Sequence, residues 1–186
     1  ELHAHIGPDK DVPAPDVNTN SQTMDWMADE YSKQTGDKTK ASFTGKSLKN
    51  GGSKGRDAAT GQGGVYCLDK YLELREWPNK PLKIAVQGFG NVGLNFALLD
   101  NRKADWKIVA ISDSSATVKI TDGLDVEGLA KHKKAKPLRD YKKAAILGPG
   151  KIIEQDVDVL VLAALDDAAL DELVRGIGTK RARAGK

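Results

Sequence analysis

KIAVQGFGNVG, residues Lys83 to Gly93, is the stretch around which the chain is organised. Ile84, Ala85 and Val86 read as a short buried strand. Gly88, Gly90 and Gly93 then spell G-x-G-x-x-G, and Leu94 to Leu99 continues as a helix. In such a strand–turn–helix the first glycine permits a tight turn. The second lets the backbone approach a pyrophosphate, and the third lets helix and strand pack closely. The unpaired N–H groups at a helix start favour phosphate oxygens. A second strand, KIVAIS (Lys107 to Ser112), ends at Asp113, 20 residues after Gly93, where a carboxylate can hold a ribose 2′-hydroxyl. Strand, helix, second strand and terminal acid together point to a dinucleotide site rather than a bare glycine turn.

Working outward, a helix is expected from about Thr60 to Glu76, with Val65, Leu68 and Leu72 at helical spacing and Pro78 as its stop. Before it, GGSKGRDAATGQGG holds six glycines in fourteen residues. These read either as a flexible linker or as backbone packed against a neighbour, and the embedded Arg56, Asp57 and Thr60 favour the second. Gly45-Lys46-Ser47 has the end of a phosphate loop, but Lys40 stands where its first glycine is required, so that motif fails. Downstream, Gly123 to Lys134 reads as a short amphipathic helix with Leu124 and Leu129 inward, and LAKHKKAK (Leu129 to Lys136) as its solvated end. After the GPG turn at Gly148 to Gly150, DVDVLVLAAL is apolar in the manner of a strand buried on both faces of a parallel sheet. Alternating helices and strands give an α/β fold, a Rossmann-like doubly wound parallel sheet, without internal repeats.

The first part of the chain differs. Asp9 to Asn20, DKDVPAPDVNTN, carries Pro13 and Pro15, which force an extended or turning path and remove two backbone donors. Asp11 and Asp16 flank them. A carboxylate on so rigid a segment suits general acid/base work, although residue type alone fits an Asx-turn leading into a helix cap better. A helix follows over about Ser21 to Gln34, capped by Asn20 or Ser21 and ended by Gly36. Met24, Met27, Ala28 and Tyr31 form one apolar face. His3 and His5, two residues apart, diverge on a helix, and His132 stands alone in a lysine run, so no metal site is expected.

The chain has 186 residues, 39% hydrophobic and 30% charged, as suits a water-soluble globular protein. No apolar run nears the ~20 residues of a membrane span. Cys67 is the only cysteine, which fits a reducing compartment, and a cytoplasmic location is expected. The formal charge of +3 comes from the tail: without Lys180, Arg181, Arg183 and Lys186, 25 basic residues face 26 acidic ones. The near-neutral body does not argue for nucleic acid, and the tail reads as a solvated terminus.

Five motifs in order, IGPDKDVPAPDVNTN, GGSKGRDAATGQG, GFGNVG, AISDS and DVDVLVLAAL, resemble those of the glutamate dehydrogenases, within the glutamate/leucine/phenylalanine/valine dehydrogenase superfamily. The resemblance runs from about Ile6 to Asp167. It implies NAD(P)-linked oxidative deamination of L-glutamate to 2-oxoglutarate and ammonia, reversibly. Asp16 matches the family's catalytic carboxylate, reversing the reading from residue type alone, and Arg56 matches an arginine on the substrate side of the cleft. For the cofactor, the resemblance and the fingerprint together mark Thr60, Gly88, Phe89, Gly90, Asn91, Val92, Gly93, Asp113, Ala163 and Ala164. NAD is expected from the Asp113 carboxylate, while Ser112 and Ser114 leave NADP as the alternative.

The resemblance also implies a division into residues 1–56, the end of a substrate domain, and 57–186, an incomplete dinucleotide domain. The family's glycine-flanked lysine segment is absent, and DAALDELVRGIGTKRARAGK replaces its continuation after Asp167. Ser47 and Lys54 replace a common proline and leucine. Both ends read as cut, so the chain is expected to be inactive alone and to work within a larger homo-oligomer, a hexamer in the family. The alternatives are a leucine-, phenylalanine- or valine-type enzyme and an inactive NAD-binding fragment.

Overall fold

A computed structural model of the chain describes residues 2–16, 18–78, 80–100 and 105–164. The stretch after Asp167 and the basic tail lie outside the described residues. The chain divides into two compact units, residues 1–57 and 58–186.

In the first unit, a 3-10 turn at Leu2–Ala4 leads to an isolated parallel bridge between Ile6 and Asp11. Helix α1 (Ser21–Thr35) starts at Asn20, whose side chain accepts from Gln22 N and Thr23 N at 3.0 and 3.1 Å. It stops at Gly36, whose φ of 77° is left-handed. Met24, Ala28 and Phe43 are buried, and Tyr31 meets Phe43 edge-on with ring centroids 5.8 Å apart. Met27, expected on the same apolar face, is 40% exposed. Buried Asp25 accepts from Ser47 N at 2.9 Å and so ties the following loop to α1.

The second unit is a five-stranded sheet in the order β4-β3-β2-β1-β5. Strands β1 (Leu82–Gln87), β2 (Trp106–Ser112) and β5 (Val159–Leu162) are parallel. Strands β3 (Thr117–Lys119) and β4 (Ala145–Leu147) extend it antiparallel, and the sheet does not close. Three residues apiece are too few to show a period of two, which is why pattern reading passes over them. Between β1 and β2 the register slips: Ile84 pairs with Ile108, but Ala85 pairs with Ala110. Val109 is the extra residue. Its carbonyl accepts from Ile120 N at 3.0 Å, so the irregularity leaves no orphaned oxygen.

Helices α2 (Arg56–Leu74), α3 (Asn91–Asp100) and α4 (Val126–Lys133) complete the unit. Ile84, Val86, Phe96, Ile108, Ile111, Val118, Val126 and Leu129 form its core, together with Leu124. Burial of each large aliphatic side chain contributes roughly 1.5–3 kcal/mol. Helix α2 begins four residues earlier than apolar spacing suggests, at Arg56. One of its glycines is required by a neighbour: a Cβ on Gly61 would lie 2.6 Å from Phe96 N, whereas one on Gly63 would meet nothing within 4 Å. Strand β5 is half-buried rather than enclosed on both faces, being the outermost strand among the described residues.

The join of β1 to α3 is a close backbone approach. A Cβ on Gly93 would stand 1.9 Å from Gly88 O, whereas one on Gly90 would meet nothing within 4 Å. Gly93→Ala is therefore expected to cost about 3 kcal/mol of stability, and Gly90→Ala under ~1 kcal/mol. Thermal unfolding of the two variants checks this; equal effects would show that the Gly88–Gly93 contact yields easily.

Candidate functional site

In the first unit, the proline segment is held in place by backbone bonds. Thr44 N donates to Pro13 O at 3.0 Å. Asp16 N donates to Thr19 Oγ1 at 2.7 Å, and that hydroxyl donates to Asp16 O at 2.7 Å. Thr19 N also donates to Asp16 O at 3.0 Å. The backbone of Asp16 thus takes part in the turn, and the exposed Asp16 stands just ahead of the Asn20 cap. Gly45 brings the pieces together. Its φ is 67°, and a Cβ there would lie 2.5 Å from Pro15 Cγ and 3.0 Å from Arg56 Nε. Pro15, next to Asp16, and Arg56, the first residue of α2, therefore meet at one bare Cα.

Lys46, the remnant of the failed phosphate loop, supports this corner from below. It is 8% exposed, and its ammonium donates to Phe43 O. Burial pulls its pKa below the ordinary lysine value, against the attraction of Asp25. Its own carbonyl lies where a Cβ on Gly52 would be, 1.9 Å away.

In the second unit, the glycine turn lies at the C-terminal ends of the parallel strands. Gly88, with φ of 90°, donates its N–H to Ser112 O at 2.9 Å, and a Cβ on it would meet Ala163 O at 2.5 Å. Ala163 N donates to Gln87 O at 2.8 Å. The ends of β1, β2 and β5 thus meet at this turn, and β1 lies where the strand order runs off in opposite directions, to β2 on one side and β5 on the other. Such a point is where open α/β sheets form their ligand crevice. Leu94 N bonds to Gly90 O at 2.9 Å, so Asn91, Val92 and Gly93 carry the first-turn N–H groups of α3. Asn91 Oδ1 accepts from Asn95 Nδ2 at 2.9 Å. Exposed Thr60 precedes Gly61, which abuts α3 at Asn95 and Phe96. Ala164, after β5, is exposed. Phe89 is placed otherwise: its ring belongs to the core, leaving only backbone to face a ligand.

Asp113 is more heavily engaged than an isolated ribose acceptor would be. Its Oδ1 accepts from Ser115 N at 2.7 Å, Ser115 Oγ at 2.6 Å and Ala116 N at 3.2 Å. Its Oδ2 pairs with the ammonium of Lys133, in the last turn of α4. Burial pushes the carboxyl up, but the Lys133 and Ser115 donors outweigh it and hold its pKa below the usual carboxylate value. Ser112 is buried and Ser114 exposed, so of the two serines only Ser114 presents itself to solvent.

Two features escaped the sequence reading. Lys133 sits in the run taken as solvated, and nothing in its spacing marks it as the partner of Asp113. His132, taken as alone, contacts Pro137 O through Nε2 at 3.1 Å and stacks edge-on with Tyr141 at 5.2 Å. Gln87, at the end of β1, has its Oε1 buried without a hydrogen-bond partner. That orphaned acceptor, the open space over Gly90 and the free N–H groups of α3 fit a ligand with amide donors and phosphate oxygens.

The family model for Glutamate/Leucine/Phenylalanine/Valine dehydrogenase matches residues 51–178, and that for the Glu/Leu/Phe/Val dehydrogenase dimerisation domain matches residues 1–33. The chain belongs to the glutamate/leucine/phenylalanine/valine dehydrogenase family. Within that family it is similar to glutamate dehydrogenase of Thermotoga maritima, with 42% identity over 169 residues, covering 90% of this chain and 41% of that protein. The hetero-hexameric glutamate dehydrogenase of Thermus thermophilus, in a leucine-bound form, superimposes with a TM-score of 0.80 at 32% identity, over 92% of this chain and 41% of its own. Glutamate dehydrogenase of Plasmodium falciparum gives 0.81 at 26% identity, over 94% and 40%. The chain therefore spans about two fifths of the length of these family members. No helix among the described residues is long and apolar enough to cross a membrane.

The Asp113–Lys133 pair sets a pH dependence. A carboxyl with a depressed folded pKa stabilises the fold above its unfolded value, about 3.9, and that contribution is lost as pH falls through the folded value. Lys133→Gln is expected to raise the Asp113 pKa, so that acid-side destabilisation begins at higher pH. Carboxyl NMR titration of Asp113 checks this; an unchanged pKa would show that the Ser115 donors alone hold it down.

Proposed function

We propose that this chain forms part of a larger NAD(P)-dependent glutamate dehydrogenase that interconverts L-glutamate and 2-oxoglutarate plus ammonia. The observation that carries this reading is the combination of family membership with the glycine turn set at the converging ends of β1, β2 and β5. On this reading residues 1–56 belong to the substrate domain and residues 57–186 to the dinucleotide domain. The relatives' names favour glutamate over a branched or aromatic amino acid. The hetero-hexamer of the Thermus thermophilus relative supports an oligomeric enzyme.

In this reading the backbone N–H groups of the turn after Gly88, Gly90 to Gly93, would receive the pyrophosphate, and Ala163 and Ala164 would border the nicotinamide end. A bound nicotinamide would supply the hydride acceptor for the substrate α-carbon. Arg56, whose Nε lies near Gly45 and Pro15, would orient the amino acid. Asp16 takes a proton from water as the water oxygen bonds to the substrate iminium carbon, and returns it to nitrogen as the C–N bond breaks. The backbone bonds between Asp16 and Thr19 keep that carboxylate from drifting between the two transfers.

NAD is the proposed cofactor, supported by the carboxylate at the end of β2, which repels a 2′-phosphate. One observation favours NADP as a second reading: Lys133, 36% exposed, neutralises Asp113 and offers its own charge at the same spot. Titrating the chain with NADH and NADPH separates the two, because Lys133→Gln strengthens the NADH preference if the lysine accepts a phosphate and leaves it unchanged if it does not.

The reading itself is tested in the enzyme completed with its upstream coding sequence. Glutamate is the expected preferred substrate over leucine and phenylalanine, and the 186-residue chain alone is expected to show no turnover. Asp16→Asn is expected to lower kcat by about 10²–10⁴-fold with NADH binding retained. A preference for leucine, or an Asp16→Asn enzyme of normal kcat, would overturn the assignment.

A further inference from the structure

Two buried charges have no part in the chemistry above, and both belong to the first unit. Among the described residues Lys46 is the only buried lysine and Asp25 the only buried carboxylate. Asp25 accepts from the N–H of Ser47, the residue after Lys46, and attracts the Lys46 ammonium. Lys46 turns that ammonium back onto Phe43 O. Its compensation is incomplete: burial, with some repulsion from Lys40, outweighs the pull of Asp25 and holds the lysine below its ordinary pKa. An apolar side chain would fill the same space without desolvating a charge. What the lysine adds is direction, because an N–H donor fixes where a carbonyl points.

The carbonyl it fixes lies at a junction of three segments. On one side, Thr44 N donates to Pro13 O at 3.0 Å, and the bare Cα of Gly45 admits Pro15 and the Arg56 guanidinium. Beneath, the buried Phe43 ring meets Tyr31 of α1 edge-on, and Ser47 is tied to Asp25 of the same helix. On the other side, Gly52 N donates to Ser47 O at 3.0 Å, and a Cβ on Gly52 would stand 1.9 Å from Lys46 O. Residues 43–47 are thus joined to the proline segment that carries Asp16, to α1, and to the glycine-rich loop that leads into Arg56.

We propose that Lys46 is a positioning residue for the reaction: by holding Phe43 O it sets the path of residues 43–46, and so the place at which the segment bearing Asp16 meets Arg56. That role rests on the functions of Asp16 and Arg56 proposed above. Lys46 acts through the backbone of Thr44 and Gly45. A shift of Gly45 would displace Pro15 and Arg56 together, and misplacement of reacting groups by about 1 Å lowers rates by about 10²-fold.

The test uses the enzyme completed with its upstream coding sequence, assayed well below its unfolding temperature on whichever amino acid it turns over. Lys46→Met fills the space without a charge or a donor. It is expected to lower kcat about 10–100-fold, while NADH affinity changes less than about twofold. Circular dichroism and thermal unfolding establish that the variant is folded. Lys46→Gln, whose amide is one bond shorter, replaces it if it is not, with an expected loss of about fivefold or more. A lysine that only stabilised the fold would move the unfolding temperature and leave kcat of the folded enzyme alone. In an Asp16→Asn background, Lys46→Met is expected to lower kcat by less than about a further twofold, because the two act as a unit. A folded Lys46 variant with kcat within about twofold of normal, or a loss that adds in full to that of Asp16→Asn, would overturn the positioning role alone. A normal kcat for Asp16→Asn would overturn the assignment of Asp16 and the role of Lys46 with it.

Discussion

The contact between Gly93 and the carbonyl of Gly88 is the constraint on which the sheet unit depends. It lets α3 start directly over the end of β1, with no side chain to separate helix from strand. With α3 so close, its first-turn N–H groups stand at the C-terminal ends of the parallel strands. The same proximity repeats one layer out, where Gly61 of α2 rests on the backbone of α3 at Phe96. Two bare Cα positions thus set the spacing of a strand and two helices, and the aliphatic core fills what remains.

The first unit follows a comparable logic with different chemistry. Its hydrophobic content is small: Met24, Ala28 and Phe43 are its main buried apolar groups. Order in the proline segment comes instead from backbone bonds and from interlocking polar groups. Asp25 receives the N–H of Ser47, Lys46 tucks its ammonium beneath the loop, and Gly45 admits the ring of Pro15 and the guanidinium of Arg56 to one place. A buried ammonium bonded to a carbonyl fixes direction as well as distance, which apolar packing of this size would not do.

Much of this was legible from residues. The glycine turn, α1 with its Asn20 and Gly36 ends, and the parallel strands β1 and β2 follow from local rules about caps, positive φ and apolar periodicity. What was not legible depends on contacts between distant segments. Strands β3 and β4 are defined by their partners, not by their three residues. The pairing of Lys133 with Asp113 joins the end of α4 to the end of β2, and no spacing rule links positions 20 apart. The inward turn of Lys46 had no signal either, because lysine is ordinarily a surface residue. Family resemblance supplied the significance of Asp16, which its local surroundings, a short turn before a helix cap, would not have suggested.

The extra residue in β2 has a consequence for how the family's sheet can vary. With Val109 displaced from the ladder, every pairing beyond it is advanced by one, so Gln87 comes opposite Ser112 and Gly88 can reach its carbonyl. Strands have a parity, since neighbouring residues face opposite ways. The bulge therefore decouples the parity of the strand's two ends. The charge-bearing face at Lys107 and the turn-bearing end at Asp113 can each be chosen without reference to the other. A deletion of one residue between them would be short in sequence yet would transpose one end of the sheet relative to the other, whereas a two-residue change would preserve it.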